Sequence, residues 1–220
     1  MRILFIRHGD PDYSIDGLTE RGHRQAAATA ERLSDAGIDR IVSSTCGRAW
    51  LTAEYTAKHL GLPIEPAEFM REISWGSRDG SEIAHNGNPW YVTGDAIAAQ
   101  VPLMGDPEQY ACFNNNRVLD SAAALGDGLD AWLAECGYHR EGAYYRVDED
   151  AFDGTVAIFC HNGASVAAIS RLMNLPFFFT CCSFCIGHAS ITDISLYKAP
   201  GALINPCFVY TNDYKHTIGV

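Results

Sequence analysis

Short apolar runs alternate with longer amphipathic segments along most of the chain. The apolar runs predict strands, which we place at residues 2–7, 39–44, 155–160 and 189–197. Residues 202–210 predict an edge strand or a hairpin, and Pro206 favours the edge. Segments with apolar residues at helical spacing predict helices, which we place at residues 19–36, 47–60, 117–136 and 163–174. Because strands and helices alternate, the pattern predicts an α/β fold, a three-layer sandwich with a mainly parallel central sheet between two layers of helices.

Residues 81–116 interrupt this pattern. They lack helical or strand periodicity over long spans and carry Gly, Pro and Asn throughout. A chain of 220 residues suits one large α/β domain. We therefore expect a single domain over residues 1–220, with an insertion at about 81–116 that contains only short helices.

The composition narrows the range of partners. A formal net charge of −11 disfavours nucleic acid and anionic membrane surfaces, so an anionic ligand would need a local positive pocket. No stretch reaches the roughly 18 apolar residues of a membrane span, and the N-terminal apolar run is too short for a secretory signal. We expect a soluble, cytoplasmic protein that binds neither nucleic acid nor membrane.

Three of the eight cysteines form a cluster of Cys181, Cys182 and Cys185. The pair Cys182-x-x-Cys185, followed by His188, is half of a zinc site, but no second pair has suitable spacing. In a chain without a targeting signal, scattered cysteines are most simply reduced, buried and apolar. We expect no metal ion and no other cofactor, and the role of the cluster stays open.

Four side chains that can hold or attack an anion follow strands of the predicted sheet. Arg7 and His8 end the first strand, Arg48 lies just past the second, and His161 directly follows the strand at 155–160. A single histidine or arginine most often has a structural role or a solvated surface position. Ligands of open α/β sheets, however, bind beyond the carboxyl ends of the strands, so this convergence predicts an anion site.

These residue types suit phosphoryl transfer through a phosphohistidine. A neutral, oriented imidazole is a competent nucleophile, which assigns the attack to His8. Arg7 and Arg48 would hold phosphate oxygens, and Gly9 would allow the backbone to approach them closely. The helix that begins near Gly163 could direct its backbone N–H groups at the same anion. The leaving group also needs a general acid, for which Glu72, Asp79 and Glu82 are candidates.

With these residues, the chain resembles the histidine phosphatase superfamily, in the branch of the phosphoglycerate mutases and broad-specificity phosphatases. Arg7-His8-Gly9 is similar to the signature that contains the family's nucleophile, and "SSTCGRAWLTA" resembles the segment that contains its second arginine, here Arg48. "FCHNGAS" resembles the strand end with the second catalytic histidine, here His161, and "REISWGSRDG" resembles the segment with the acid.

The resemblance implies a mechanism and a set of site residues. His8 would be phosphorylated, Glu72 would protonate the leaving group, water would then attack the phosphohistidine, and no metal would take part. The implied catalytic residues are His8, Glu72 and His161, and the implied phosphate contacts are Arg7, Gly9, Arg48 and Asn162. The chain departs from the family pattern after Gly9, where Asp10-Pro11-Asp12-Tyr13 replaces a Thr and an Asn. One phosphate contact is therefore in doubt, and two carboxylates near the pocket would repel a highly anionic substrate.

In this family the insertion tends to cover the active site as a lid. Residues 81–116 contain no Lys or Arg, whereas a mutase needs extra cations for a bisphosphate and a carboxylate. Trp90 and Tyr91 are candidates to meet a neutral or aromatic leaving group, or else they pack the lid onto the body. We therefore expect a phosphatase that hydrolyses phosphomonoesters, most simply a small phosphorylated metabolite. A cofactor-dependent phosphoglycerate mutase, a phosphoprotein phosphatase and a non-catalytic phosphate-binding protein stay open, as does the oligomeric state.

Overall fold

The computed structural model describes residues 1–197 and 199–220. Its strands are β1 (Arg2–Arg7), β2 (Pro11–Asp12), β3 (Gly17–Leu18), β4 (Ile38–Ser43), β5 (Ile64–Pro66), β6 (Tyr138–Glu141), β7 (Tyr144–Val147), β8 (Thr155–Cys160), β9 (Ile191–Ser195), β10 (Leu203–Ile204) and β11 (Cys207–Asp213). Its α-helices are α1 (Glu20–Leu33), α2 (Gly47–Leu60), α3 (Pro89–Ala98), α4 (Val118–Glu135), α5 (Asn162–Met173) and α6 (Phe177–Ser183).

Six strands form the central sheet in the order β11-β9-β1-β8-β4-β5. The four strands β1, β8, β4 and β5 run parallel, β9 pairs with β1 antiparallel, and β11 pairs with β9 antiparallel at the edge. Side chains of a strand alternate between the two faces of its sheet. In β1, Ile3 and Phe5 accordingly join the larger apolar cluster, whereas Leu4 and Ile6 join the smaller one on the opposite face. The α/β prediction with a mainly parallel central sheet is confirmed.

The helices that flank the central sheet begin and end close to the predicted positions, for local reasons. Thr19 caps α1 by accepting a hydrogen bond from the Gly22 N–H, and Gly61 ends α2 in the left-handed conformation with φ of 69°. Helix α4 contains two glycines, which by themselves weaken a helix, at positions where its neighbours leave no room for a side chain. A Cβ at Gly126 would lie 3.1 Å from Cδ of Arg171, and a Cβ at Gly128 would lie 2.5 Å from Cβ of Phe69.

The edge strand or hairpin predicted at 202–210 is divided between two sheets in the structure. It is split into β10, which joins a separate sheet in the order β10-β7-β6, and β11, which forms an edge of the central sheet. Pro206 lies between these two strands, where it has no N–H to offer to either ladder.

The 81–116 segment contains a ten-residue helix, α3, which is longer than the sequence pattern indicated. Asn88 caps it by accepting from the Trp90 N–H, and Pro89 occupies its first turn. Val92 and Ala96 on this helix are fully buried in the larger apolar cluster, and α3 packs against α6. Contact with the body therefore stabilises a helix whose own apolar pattern is weak. Among the described residues, no helix is long and apolar enough to cross a membrane.

Candidate active site

Two neighbouring strands place the two candidate catalytic histidines beside each other. His8 follows β1 and His161 follows β8, and the parallel register pairs Arg7 with Cys160. The two imidazole rings meet edge to face with their centroids 5.2 Å apart. Arg48, the second residue of α2, is brought to the same place because β4 pairs with β8 on the other side. The predicted convergence of strand ends is therefore present in the structure.

His8 is buried and its hydrogen bonding defines its tautomer. Nδ1 lies 2.7 Å from the carbonyl oxygen of Gly9, and since a carbonyl only accepts, Nδ1 carries the proton. The unprotonated Nε2 lies 3.3 Å from Nε of Arg48, which donates to it. Burial, together with the charges of Arg7 and Arg48, lowers the pKa of His8 to about 3. His8 is thus a neutral imidazole with its lone pair on Nε2, the form that a nucleophile requires.

His161 is fully buried and also has one nitrogen engaged. Its Nε2 lies 2.8 Å from Oγ of Ser44, which itself accepts from the Cys46 N–H. The Ser44 hydroxyl can donate its hydrogen to Nε2, and in that arrangement the ring proton is on Nδ1. Nδ1 has no partner among the described residues, so a bound anion could accept from it. Burial and the neighbouring cations lower the pKa of His161 to about 2.

Arg48 is held by a residue that the sequence analysis did not single out. Asp16 accepts a hydrogen bond from Nη1 of Arg48 and, with its other oxygen, one from the Gly47 N–H at 2.7 Å. The ring of Tyr13 lies 5.4 Å from the guanidinium carbon of Arg48. The nearest sequence signal was the departure from the family pattern at residues 10–13, three residues before Asp16.

The two carboxylates expected to repel an anion near the pocket have other partners. Asp10 accepts from Oγ1 of Thr19 at 2.7 Å, and Asp12 accepts from the backbone and hydroxyl of Ser14 within the β2–β3 turn. These hydrogen bonds stabilise the loop that follows His8. The acidic residue in direct contact with a candidate phosphate-binding arginine is therefore Asp16, rather than Asp10 or Asp12.

Arg7 is held from the loop that precedes β9. Its Nη1 donates to the carbonyl oxygen of Ile186 at 2.6 Å, and its Nη2 lies 2.7 Å from Nε2 of His188. Its Nε is buried and has no partner in the described part of the chain. A buried guanidinium N–H without an acceptor is unusual, and a phosphate oxygen would satisfy it.

Glu72 lies against the first turn of α5. Its carboxylate accepts from the N–H groups of Ala164 at 2.9 Å, Ile73 at 3.1 Å and Gly163 at 3.4 Å. Two of the helix N–H groups that were predicted to point at a phosphate, those of Gly163 and Ala164, therefore donate to Glu72. Burial raises the pKa of Glu72, against the effect of the three N–H donors, and so favours the protonated form that a general acid needs.

The other two candidate acids, Asp79 and Glu82, are more exposed to solvent than Glu72. Asp79 is exposed and accepts from Asn115 Nδ2 and from the Ser81 N–H, which lower its pKa to about 2. Glu82 is also exposed. Of the three carboxylates considered from the sequence, Glu72 is the one that is not exposed and the one whose pKa is raised.

Gly9 and Asn162 occupy the edge of this site. The Gly9 N–H donates to Oγ1 of Thr52 at 3.1 Å, and a Cβ at this position would lie 2.6 Å from the backbone oxygen of Gly22. The chain directly after β1 lies so close to α1 that only a glycine fits at position 9. This packing requirement differs from the predicted role of Gly9, which was to let the backbone approach phosphate. Asn162 is the first residue of α5 and is half-buried next to His161.

The aromatic residues of the 81–116 segment divide into two groups. Trp90 packs edge to face on Trp75 at 6.4 Å, and Phe113 is fully buried against Phe178. Tyr91 is 63% exposed and lies over His85, with ring centroids 5.4 Å apart. Trp90 and Phe113 therefore anchor the segment, which leaves Tyr91 as the solvent-facing aromatic of the two candidates at 90 and 91.

No group of three or more His, Cys, Asp or Glu side chains within residues 1–197 and 199–220 is arranged to hold a metal ion. All eight cysteines are free, with Cys181 buried and Cys185 exposed. His188, which the sequence placed beside this cluster, contacts Arg7 instead.

The site thus contains two fixed arginines, a neutral histidine whose unprotonated Nε2 faces Arg48, and a half-buried carboxyl group. Residues 3–125 match the model of the histidine phosphatase superfamily (branch 1). The chain is 29% identical over 210 residues to glucosyl-3-phosphoglycerate phosphatase of Mycobacterium tuberculosis, an alignment that covers 91% of this chain and 88% of the relative. It is 27% identical over 151 residues to a probable phosphoglycerate mutase of Escherichia coli, which covers 62% of this chain and 70% of the relative.

A solved structure shows the same likeness in three dimensions. The complex of the mycobacterial glucosyl-3-phosphoglycerate phosphatase with inorganic phosphate is similar with a TM-score of 0.65 and 27% identity, over 98% of both chains. The chain is therefore similar to that phosphatase over nearly its whole length, both in sequence and in fold.

Proposed function

This chain belongs to the histidine phosphatase superfamily as a phosphatase, and we propose that it hydrolyses small phosphorylated metabolites through a phosphohistidine at His8, without a metal ion. The observation that carries the proposal is the tautomer of His8. The Gly9 carbonyl holds the proton on Nδ1, so the lone pair on Nε2 is available for in-line attack on phosphorus.

The first half-reaction transfers the phosphoryl group to the enzyme. The bond between Nε2 of His8 and phosphorus forms as the bond from phosphorus to the leaving oxygen breaks. Arg7 and Arg48 stabilise the charge that is spread over the equatorial oxygens, and the orphan N–H groups on Arg7 Nε and His161 Nδ1 find acceptors there. Arg48 Nε must then exchange its contact with Nε2 of His8 for a phosphate oxygen.

Glu72 supplies and then recovers the proton. Its protonated carboxyl group donates to the leaving oxygen in the first half-reaction, and the alcohol departs. In the second half-reaction the same carboxylate takes a proton from the water that attacks phosphorus, the N–P bond breaks, and orthophosphate leaves. The raised pKa of Glu72 suits the first role, and its position at the start of α5 fixes the carboxyl group beside His161.

The distribution of cations favours hydrolysis over mutase activity. A phosphoglycerate mutase must hold a second phosphate and a carboxylate, which requires positive groups beyond the first phosphate. The 81–116 segment, which we propose as a lid, has no Lys or Arg. At its borders, Arg78 is paired with Glu108 and Asp120, and Nε of Arg117 donates to the Trp75 carbonyl. The charge of Arg78 is therefore already paired with two carboxylates, and Nε of Arg117 is engaged by a backbone oxygen.

The test is hydrolysis of p-nitrophenyl phosphate in the presence of a chelator, at slightly acidic pH. Wild type should turn over, His8→Ala should lose all but background turnover, and the control His139→Ala, in the β6–β7 hairpin, should keep the wild-type rate. Residual turnover by pure His8→Ala would rule out the phosphohistidine. Loss of wild-type activity in chelator, restored by added metal, would rule out the metal-independent mechanism.

A second outcome would redirect the assignment. If wild type fails on a panel of phosphomonoesters, the same proteins should be tested with phosphoglycerate and its bisphosphate. Interconversion of phosphoglycerates would show a mutase, the activity for which the relative from Escherichia coli is named. Binding of phosphate without any turnover would show a phosphate-binding protein.

A further inference from the structure

His188 is a third histidine at the site, and neither the motifs nor the mechanism above uses it. It lies in the loop before β9, 5.6 Å from His8 between ring centroids, and its Nε2 is 2.7 Å from Nη2 of Arg7. An arginine can donate but cannot accept a hydrogen bond. Nε2 of His188 must therefore be the acceptor, which makes His188 a neutral imidazole with its proton on Nδ1.

The other side of the ring faces a carboxylate. Nδ1 of His188 lies 3.6 Å from Oδ1 of Asp10, whose other oxygen accepts from Thr19. The N–H on Nδ1 is thus oriented toward a negative charge, which favours the tautomer that Arg7 requires. The charged and titratable groups around the ring are Arg7 and His8 from the end of β1, Asp10 from the loop after them, and Arg21 from α1.

The loop that carries His188 is fixed by its own contacts. The Ala189 N–H donates to the His8 carbonyl at 3.1 Å, and the Gly187 N–H donates to Oδ1 of Asn212 at 2.7 Å. The Ile186 carbonyl of the same loop accepts from the other terminal nitrogen of Arg7. Two acceptors from one rigid loop therefore hold the two ends of the guanidinium and leave Nε–H without a protein partner.

We propose that His188 is a positioning residue that, as a neutral acceptor supported by Asp10, holds the Arg7 guanidinium in the orientation that presents Nε–H to the phosphate. The proposal rests on the phosphate site assigned above. A proton on Nε2 of His188 would place two donors opposite each other at hydrogen-bond distance, so protonation would displace Arg7. Phosphate binding and turnover would then fall together in acid.

The pKa of His188 is consistent with this arrangement. Burial and the charge of Arg7 lower it to about 4, against the effect of Asp10, which raises it. The imidazole is therefore neutral at and above physiological pH. It becomes protonated, and stops accepting from Arg7, only in acid, so the effect on kcat/KM falls on the acid side of the pH profile.

The experiment compares His188→Ala with His188→Gln at pH 7. Glutamine places an acceptor oxygen about as far from the backbone as Nε2 of histidine and cannot be protonated in this range. For p-nitrophenyl phosphate, kcat/KM should fall about tenfold or more in His188→Ala and stay within about threefold of wild type in His188→Gln. The control is His139→Gln, whose histidine also faces a carboxylate, Asp148, but in the β6–β7 hairpin.

The pH profile adds a readout that a merely structural role would not change. The titration of the substrate affects wild type and the control His139→Gln equally. Both proteins should lose kcat/KM below about pH 5. His188→Gln should retain activity further into the acid range. Equal losses in His188→Ala and His188→Gln at pH 7, or an unchanged acid limb in His188→Gln, would overturn the proposal.

Calorimetric binding of inorganic phosphate separates this proposal from the assigned function. His188→Ala should bind phosphate about tenfold more weakly than wild type, and His188→Gln should bind it nearly as tightly. If wild type binds phosphate with this pattern but hydrolyses nothing, the positioning role stands and the hydrolase assignment fails. If wild type hydrolyses substrate and all variants bind phosphate equally, the assignment stands and the positioning role fails.

Discussion

Lowering the pH from 7.5 to 5.5 should destabilise the folded protein, because the site contains buried neutral histidines. Burial lowers the pKa of His8 to about 3 and that of His161 to about 2, whereas an unfolded histidine titrates near 6.5. As the pH falls below 6.5, these two histidines therefore bind protons in the unfolded chain but not in the native site. The stability that these residues contribute is fully present above pH 6.5 and is lost as the pH falls below it.

The size of the effect follows from linkage. Over this interval the unfolded imidazole changes from mostly neutral to mostly protonated, which is worth about 1.4 kcal/mol for each histidine. His8 and His161, both at most 1% exposed, should together cost about 3 kcal/mol of the free energy of unfolding. The partly exposed His188, whose pKa is lowered to about 4, adds to this loss in the same direction. Glu72 acts in the opposite direction, because its raised pKa lets the native state bind a proton more readily.

Urea unfolding at the two pH values, in buffers without phosphate, measures this loss. His161→Gln removes one titrating group, so its loss between pH 7.5 and 5.5 should be smaller than that of wild type by about 1.4 kcal/mol. His139→Gln, on the surface hairpin, controls for the removal of an exposed histidine. Parallel wild-type and His161→Gln results would refute the reasoning, since His161 would then not be held neutral in the native site. Phosphate must be absent because a bound anion would favour the protonated imidazole.

Two further predictions concern the acid and the packing of the site. Glu72→Gln should lower kcat/KM for an alkyl phosphate by about 10²–10⁴-fold but for p-nitrophenyl phosphate by less than about tenfold, because nitrophenolate leaves without a proton. Equal losses for the two substrates in a steady-state comparison would show that Glu72 does not protonate the leaving group. Gly22→Ala should lower the free energy of unfolding by about 1–3 kcal/mol, since its Cβ would overlap the Asp10 carbonyl where the chain after β1 meets α1. Gly94→Ala lies on the open face of α3 and should raise the free energy of unfolding by about 0.5–1 kcal/mol. Chemical denaturation of both glycine variants measures the pair, and a Gly22→Ala protein as stable as wild type would contradict the close contact.

Local sequence was sufficient for the elements whose signals lie within a few residues. The apolar run of β1, the end of α2 at Gly61 and the cap of α1 at Thr19 are each encoded where they occur. The helix α3 was less well predicted, although Asn88-Pro89 is a start signal, because its buried side depends on contact with α6. The division of residues 202–210 between two sheets likewise depends on distant strands.

The same distinction applies to the candidate site. Parallel strands deliver their carboxyl ends to one edge, so the order of elements was enough to bring His8, Arg48 and His161 together. The partners that orient these groups were not predictable in this way. Glu72 contacts Ala164, 92 residues away, and Arg7 contacts His188, 181 residues away.

The sequence by itself determined the fold class, the family and the residues available for chemistry, because periodicity and short motifs are properties of neighbouring positions. Only the tertiary structure decided which nitrogen of His8 carries the proton, that Glu72 rather than a phosphate occupies the start of α5, and that Asp16 and His188 hold the two arginines. The physical reason is that tautomers, pKa values and side-chain orientations depend on burial and on hydrogen-bond partners. Those partners come from loops far apart in the chain, and they meet only after the sheet has formed.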